Sequence, residues 1–173
     1  MWIAVAIAAV ATVGLIARRI LRSNGSVESR ELLALAYELF SLGRTEGRAA
    51  LEAHAANWKA SPIFCDHPSI AANGEIRTHL VDALLLLVDD VSAEDLDQLL
   101  RASSRLARAR RTLDRGAARH RDQMFACVRR SVLAIRRGAS PVTAVRTGRA
   151  QLASNDQPST TAITKIPEMR TIA

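Results

Sequence analysis

The amino-acid sequence predicts an all-α fold, with one N-terminal transmembrane helix followed by a small cytoplasmic helical domain. Three observations support this prediction. Apolar residues recur at spacings of three, four and seven along several segments, which is the period of an amphipathic helix. Alanine, leucine and arginine are abundant and favour helices, whereas aromatic residues make up only 3 % of the chain. The chain also opens with a long apolar stretch that carries no charge.

The uncharged stretch runs from Met1 to Ala17, and Arg18, Arg19 and Arg22 follow it. At about 1.5 Å per residue it spans roughly 26 Å, and the apolar residues that follow Arg19 can lengthen it while the arginines reach toward lipid headgroups. We therefore predict a single-pass membrane anchor over residues 1–22. The arginines place the C-terminal side of this anchor in the cytoplasm. A helix buried in a protein core is the alternative interpretation of the same stretch.

Residues 27–151 are predicted to form the helical domain, and residues 152–173 a flexible tail. A chain of 173 residues with 49 % hydrophobic content is long enough for one domain with a modest core. Helices are expected over residues 27–42, 44–56 and 76–88, with Gly43 either interrupting the first two or lying inside one long helix. A further helix begins near residue 92, another ends at residue 137, and the last runs from residue 141 to about 151.

Several residues predict where these helices begin and end. Pro62 and Pro68 each disfavour a helical conformation at the preceding residue, which predicts a non-helical connection over residues 57–68. Gly138 predicts the end of one helix, and Ser140, followed by a proline, predicts the N-cap of the next.

The segment from residue 44 to residue 56 carries charges among small residues. Arg48 lies four residues after Arg44 and four before Glu52, so Arg48 and Glu52 can pair on one helix face. Because eight residues make a little more than two helical turns, Arg44 and Glu52 are expected to share an exposed face of one helix. An ordinary solvated helix surface is the alternative interpretation.

The remaining polar residues within apolar segments suggest no catalytic centre. His79 and Asp82 are expected on the polar side of the helix over residues 76–88. His54 and His67 have no cluster of partner residues nearby in the sequence, so packing or surface placement is expected for both.

The chemistry-bearing residue types also argue against an enzyme. Cys65 and Cys127 lack the spacing of a metal site or a disulfide framework, and we expect two buried, reduced thiols. The sequence contains no Gly-rich phosphate loop, no metal-ligand spacing and no nucleophile close to a base. We therefore predict a non-enzymatic protein with no catalytic residue, metal or cofactor.

The chain is strongly basic, with a formal net charge of +7 and a pI near 10.8. Arginines are concentrated between Arg101 and Arg121, which allows a membrane-tethered basic helical adaptor that binds anionic lipid or nucleic acid. This segment has no interleaved aromatic residues and no DNA-binding motif, so nucleic acid is the less expected partner. Attraction to the anionic cytoplasmic leaflet is the simpler explanation beside a predicted membrane anchor.

The order of features from Glu31 to Val88 resembles the cytoplasmic loop of the flagellar motor stator protein MotA, in the MotA/TolQ/ExbB-like family. The matching residues are Leu32, Leu33, Leu35, Tyr37, Arg44, Gly47, Leu51, Glu52, His54, Asn57, Ser61, Ile63, Phe64, Pro68 and Asp82. Trp58 stands where the family usually has proline, and His67 where it has tyrosine.

A second segment, from Met124 onward, is similar to the C-terminal part of the same family. The matching residues are Met124, Cys127, Val128, Leu133, Ala134, Gly138, Pro141, Ala144, Val145, Gly148, Arg149, Leu152, Ser154, Pro158 and Ser159. Arg146 replaces the family's glutamate and Thr160 its phenylalanine. Between the two segments, nothing from Leu100 to Met124 is apolar enough to form the pair of pore-lining membrane helices that the family has there.

The resemblance implies a stator component or truncated paralogue in the bacterial inner membrane, which contacts the rotor protein FliG and does not conduct ions by itself. It implies that Arg44 and Glu52 are the rotor-binding charges, with Arg48 and Asp82 as supporting residues. The implied partners are FliG, the stator subunits MotA and MotB, and membrane lipids. Because the family assembles as a ring around its partner, a homo-oligomer is a further option.

Overall fold

The structure is a computed structural model that describes residues 27–109 and 115–152. All secondary structure in this part of the chain is helical, which confirms the all-α prediction. The helices are α1 (residues 27–45), α2 (Arg48–Ala56), α3 (Pro62–Cys65), α4 (Pro68–Ala72), α5 (Gly74–Val88), α6 (Ala93–Ala109), α7 (Arg115–Arg136) and α8 (Pro141–Arg149). The predicted anchor over residues 1–22 lies outside the described residues. Among the described helices, none is long and apolar enough to cross a bilayer.

A sharp turn separates α1 from α2, and the prediction of one continuous helix over residues 44–56 is wrong. α1 continues to residue 45, and Gly47 then adopts φ 89°, a left-handed conformation that favours glycine. α2 begins at the next residue, Arg48. Gly43 lies within α1, where the Leu51 side chain would approach an added Cβ to 3.3 Å. A small residue at position 43 therefore lets α2 pack closely against α1.

The predicted connection over residues 57–68 is partly helical, since it contains α3 and the start of α4. Ser61 and His67 have the non-helical conformations expected before proline, with ψ values of 119° and 65°. Pro62 and Pro68 then occupy first-turn positions of α3 and α4, where the missing N–H of proline leaves no helical hydrogen bond unmade. The Ser61 hydroxyl accepts a hydrogen bond from the Phe64 N–H at 3.4 Å. Each proline therefore ends one segment and also begins a short helix.

α5 and α7 form the centre of the domain. α5 packs against α2, α4, α6 and α7, and α7 also packs against α6 and α8. α1 joins them through its buried leucines and through side-chain contacts from Ser29 to Met124 of α7 and from Glu31 to Ser69 of α4. The fully buried side chains include Leu32, Leu33, Leu35, Leu39, Phe64, Ile70, Ile76, Leu80, Leu84, Leu96, Leu100 and Met124. One hydrophobic core is therefore shared by helices from both ends of the described chain.

The C-terminal part follows the predicted helix boundaries closely. Gly138 adopts φ 85° after α7, and the Ser140 hydroxyl accepts a hydrogen bond from the Thr143 N–H at the start of α8. Leu152, placed at the start of the predicted tail, is only 4 % exposed and packs in the core. Ordered packing therefore extends at least to Leu152, and the rest of the predicted tail lies outside the described residues.

The prediction that His79 and Asp82 both lie on the polar side of α5 is wrong for His79. Asp82 is exposed, as predicted, whereas His79 is buried with 2 % exposure. The His79 ring packs against the Phe125 ring of α7, with the ring centroids 4.5 Å apart. His79 lies on the same face of α5 as the buried residues Ile76 and Ala83, and α5 packs against α7.

The two cysteines differ in environment, so the expectation of two buried thiols is wrong for Cys65. Cys65 is exposed at the end of α3, whereas Cys127 is buried in α7. Burial raises the pKa of the Cys127 thiol to about 12, although the nearby Ser131 hydroxyl opposes that rise. Only thiolates react readily with maleimides and disulfide reagents, so Cys127 is protected in the folded chain.

We expect a maleimide to label one thiol per folded chain and two per unfolded chain. Mass spectrometry of the labelled peptides should locate the first label at Cys65 and the second at Cys127. The variant Cys65→Ser should remove the fast reaction and leave only the denaturant-dependent one. Rapid labelling of Cys127 under native conditions would contradict the packing of α7 described here.

Candidate protein-interaction site

Arg44 lies in the last turn of α1 with its side chain exposed. Within the described residues it forms no ion pair. The turn at Gly47 places the start of α2 next to this end of α1, and Arg48 is exposed there. Two neighbouring arginines therefore flank the break between the helices.

The helical spacing allowed an ion pair between Arg48 and Glu52, but the structure does not contain this pair. The guanidinium Nη2 of Arg48 instead lies 3.0 Å from the Oδ1 of Asp90, just after the end of α5. Asp90 is the non-glycine residue with a positive φ, 61°, in the described part of the chain. This left-handed conformation is unusual for a side-chain-bearing residue, and aspartate tolerates it better than most.

Arg136 of α7 binds the same carboxylate oxygen of Asp90. Its Nη1 lies 3.0 Å from Asp90 Oδ1, and its Nη2 donates to the Asp90 carbonyl at 2.9 Å. Its Nε donates to the Val91 carbonyl at 2.6 Å. A cation that binds carbonyls beyond a helix C-terminus also complements the negative end of the helix dipole. Asp90 therefore joins α2, α5 and α7 at one point.

These residues surround a cleft of about 340 Å³. Arg44, Arg48 and Arg136 supply its polar lining. The apolar lining comes from α1, α2, α5 and α7, and consists of Phe40, Leu51, Leu87, Val88 and Ile135, with Gly43, Gly138, Ala139 and Pro141 completing the wall. Asp90 offsets part of the positive charge of the two arginines it binds. Arg44 forms no ion pair with the described residues, so its positive charge is not offset in this way. The cleft is chemically suited to an apolar side chain that has a carboxylate beside it.

The other two predicted site residues lie outside this cleft. Glu52 is exposed on α2, one turn after Arg48. Asp82 is exposed on α5, although partial burial by surrounding atoms raises the pKa of its carboxyl group. The structure thus brings Arg44 and Arg48 together and separates Arg44 from Glu52 by the turn at Gly47, so the two do not share a face of one helix.

Sequence reasoning missed Asp90 and Arg136, because 46 residues separate them along the chain. It also missed the partner of His67, whose Nε2 lies 3.5 Å from Glu38 Oε1 in a buried contact between α1 and the start of α4. His54 Nδ1 lies 2.8 Å from the Ser61 hydroxyl. Ser61 caps α3 and His54 lies in α2, so both histidine contacts connect secondary-structure elements.

No group of three or more His, Cys, Asp or Glu side chains among the described residues could hold a metal ion. Comparisons of the chain with protein-family models, curated proteins and solved structures found no match. The resemblance to the MotA family therefore depends on the sequence positions given above.

Proposed function

We propose that this chain is a MotA-like component of a flagellar motor stator, or a truncated paralogue of one, whose cytoplasmic helices contact the rotor protein FliG. In this proposal Arg44 is the main contact charge and Glu52 the second, with Arg48 supporting Arg44. An N-terminal anchor in the bacterial inner membrane holds the domain close to the rotor. Another stator subunit provides the ion path.

The single observation that carries the proposal is the exposed guanidinium of Arg44 at the edge of an apolar cleft, where it forms no ion pair with the residues that the structure describes. An exposed charge without an ion pair in the described part of the chain is available to a partner protein, and exposed charges mainly provide steering and register. This suits a contact that must form and break repeatedly as a rotor turns.

The burial pattern of the residues that carry the resemblance supports the same proposal. Most of the matched large apolar positions lie in the core, namely Leu32, Leu33, Leu35, Leu51, Phe64, Met124, Val128, Leu133, Val145 and Leu152. The matched charges Arg44, Glu52 and Asp82 are exposed. These apolar matches are therefore in places where they stabilise a fold, and Arg44, Glu52 and Asp82 are in places where a partner can reach them.

Charge reversal tests the proposal directly. In the full chain extracted from membranes, Arg44→Glu or Glu52→Lys should weaken FliG binding roughly tenfold, because each replaces an attraction by a repulsion. A compensating reversal on FliG should restore binding to one of these variants and not to the other. Arg30→Glu is the matched control, since Arg30 is exposed on the same helix, α1, but lies near its opposite end. It should leave binding unchanged.

Two results would overturn the proposal. One is a folded wild-type chain that shows no affinity for FliG in any combination. The other is FliG binding that Arg44→Glu and Arg30→Glu weaken equally, because a general charge effect would then account for the contact.

A further inference from the structure

The outer side of α6 carries an apolar stripe in contact with solvent. Leu99 and Leu106 are 47 % and 60 % exposed, and they are the large hydrophobic side chains that the described part of the chain leaves exposed. They are seven residues apart on one helix, so they lie on the same face. Ala102 and Ala109, also exposed, lie on that face between and beyond them. These four residues are called the α6 stripe below.

Arginines line one side of the α6 stripe. Arg101 pairs with Asp97 within α6 at 2.8 Å, and Arg108 pairs with Asp122 of α7 at 2.8 Å. Arg105, between them, forms no ion pair with the described residues. Its guanidinium is therefore available to an external anion.

The basic surface continues from α6 onto α7. Arg115 and Arg119 precede Asp122 by seven and three residues and share its face of α7. Because Asp122 binds Arg108, this face of α7 adjoins the arginine side of α6. The apolar stripe is therefore bordered by a basic surface that two helices supply.

The composition of this surface discriminates among the ligands it could meet. A stable dimer needs about 800 Å² of buried surface per partner, far more than two leucines and two alanines provide. Single-stranded nucleic acid is bound through aromatic stacking, and α6 has no aromatic residue. An interfacial helix on an anionic membrane, by contrast, requires leucines on one side and arginines beside them, and little buried protein area.

We propose that the α6 stripe and its arginine border dock on the surface of an anionic lipid bilayer. Leu99 and Leu106 enter the headgroup region, and Arg105 contacts the lipid phosphates. This surface belongs to α6 and α7, whereas the rotor-binding charges belong to α1 and α2, so the two proposals can fail independently. The N-terminal anchor predicted from the sequence would keep this surface near a membrane.

A fluorescent probe on the stripe tests the proposal in the full chain. In a Cys65→Ser background, Ala102→Cys is labelled with an environment-sensitive fluorophore, while the buried Cys127 stays unlabelled. The labelled chain is titrated with vesicles of phosphatidylcholine, with or without phosphatidylglycerol. We expect a blue shift and protection from aqueous iodide only with phosphatidylglycerol, weakening as salt is added. The same label at Ala56→Cys, on the exposed side of α2, should not respond.

Two substitutions divide the effect between charge and apolar contact. Arg105→Gln should raise the vesicle concentration needed for half of the response about fivefold, in line with the contribution of one arginine near an anionic surface. Leu106→Glu should raise it more than about tenfold, since it removes the apolar contact and adds repulsion. Both positions are exposed, and circular dichroism checks that each variant folds.

Three results would overturn the proposal. Equal responses to both vesicle types at every salt concentration would remove the role of anionic lipid. Disulfide formation between Ala102→Cys chains without lipid, and loss of that crosslink in Leu106→Glu, would assign the stripe to a second copy of the chain. A response to duplex DNA and not to anionic vesicles would assign the surface to nucleic acid.

Discussion

Replacing Gly148 with alanine should lower the free energy of unfolding by about 2–3 kcal/mol, because α8 crosses α7 with no room for a side chain there. An added Cβ at position 148 would lie 2.0 Å from the Ser131 hydroxyl and 2.8 Å from the Cys127 carbonyl oxygen. It would also lie 3.1 Å from the Cys127 sulfur. The serine can rotate away, but the carbonyl belongs to the backbone of α7, so one of the two helices must move.

Thermal or denaturant unfolding of the full chain in mild detergent, followed by circular dichroism, measures this effect. The melting temperature should fall by roughly 10 °C, given about 4 °C for each kcal/mol in a domain of this size. Adding Ser131→Ala should recover part of the loss, since it removes the closest contact and leaves the carbonyl contact in place.

Gly74→Ala is the matched control. An added Cβ at Gly74 would meet only the end of the flexible Arg77 side chain, at 3.6 Å. Since alanine favours a helix more than glycine does, this variant should be unchanged or more stable by up to about 1 kcal/mol. Equal stability of the Gly148 and Gly74 variants would contradict the close crossing of α7 and α8.

The second large effect concerns pH, and it comes from His79. Burial lowers the pKa of His79 to about 4, with a smaller contribution from Arg129, while the Phe125 backbone opposes the shift. Above pH 6.5 the imidazole is neutral in both the folded and unfolded chain. Between pH 6.5 and about 4 the unfolded chain binds a proton that the folded chain does not, so stability falls as pH falls. The total contribution of His79 to this loss is about 3 kcal/mol.

Denaturant titrations at several pH values between 4 and 7 measure this slope for the wild type and for His79→Leu. The variant keeps a side chain of similar size at a buried position, so it should fold, and it has no imidazole to protonate. The wild type should lose stability at up to about 1.4 kcal/mol per pH unit more steeply than the variant. Identical slopes for the two proteins would mean that His79 takes up its proton equally in both states, which its burial against Phe125 does not allow.

The two proposed surfaces give the domain separate roles for its charges. The cleft beside Arg44 is lined mainly by apolar residues, and Asp90 binds the two arginines that line it from α2 and α7. The α6 stripe is an exposed apolar helix face with arginines beside it. A protein side chain with a carboxylate suits the first surface and a lipid headgroup layer suits the second. An anchored domain that used both would contact the membrane through α6 and a partner protein through the cleft.

Helix content and most helix ends could be predicted because they depend on neighbouring residues. The apolar spacing over residues 76–88, the stop at Gly138 and the Ser140 cap are all determined within a few residues of backbone. The same local reasoning failed at Gly47. A glycine is compatible with both a continuous helix and a left-handed turn, so the residues next to it in the sequence do not decide between them.

Local pattern alone was therefore enough to predict an all-α domain with exposed charges at Arg44, Glu52 and Asp82. The tertiary structure decided which charges meet. It pairs Arg48 with Asp90 and not with Glu52, adds Arg136 from α7, and buries His79 against Phe125. The physical reason is that these contacts join residues from different helices, whose relative positions follow from packing of the whole core. Spacing along one helix carries no information about them.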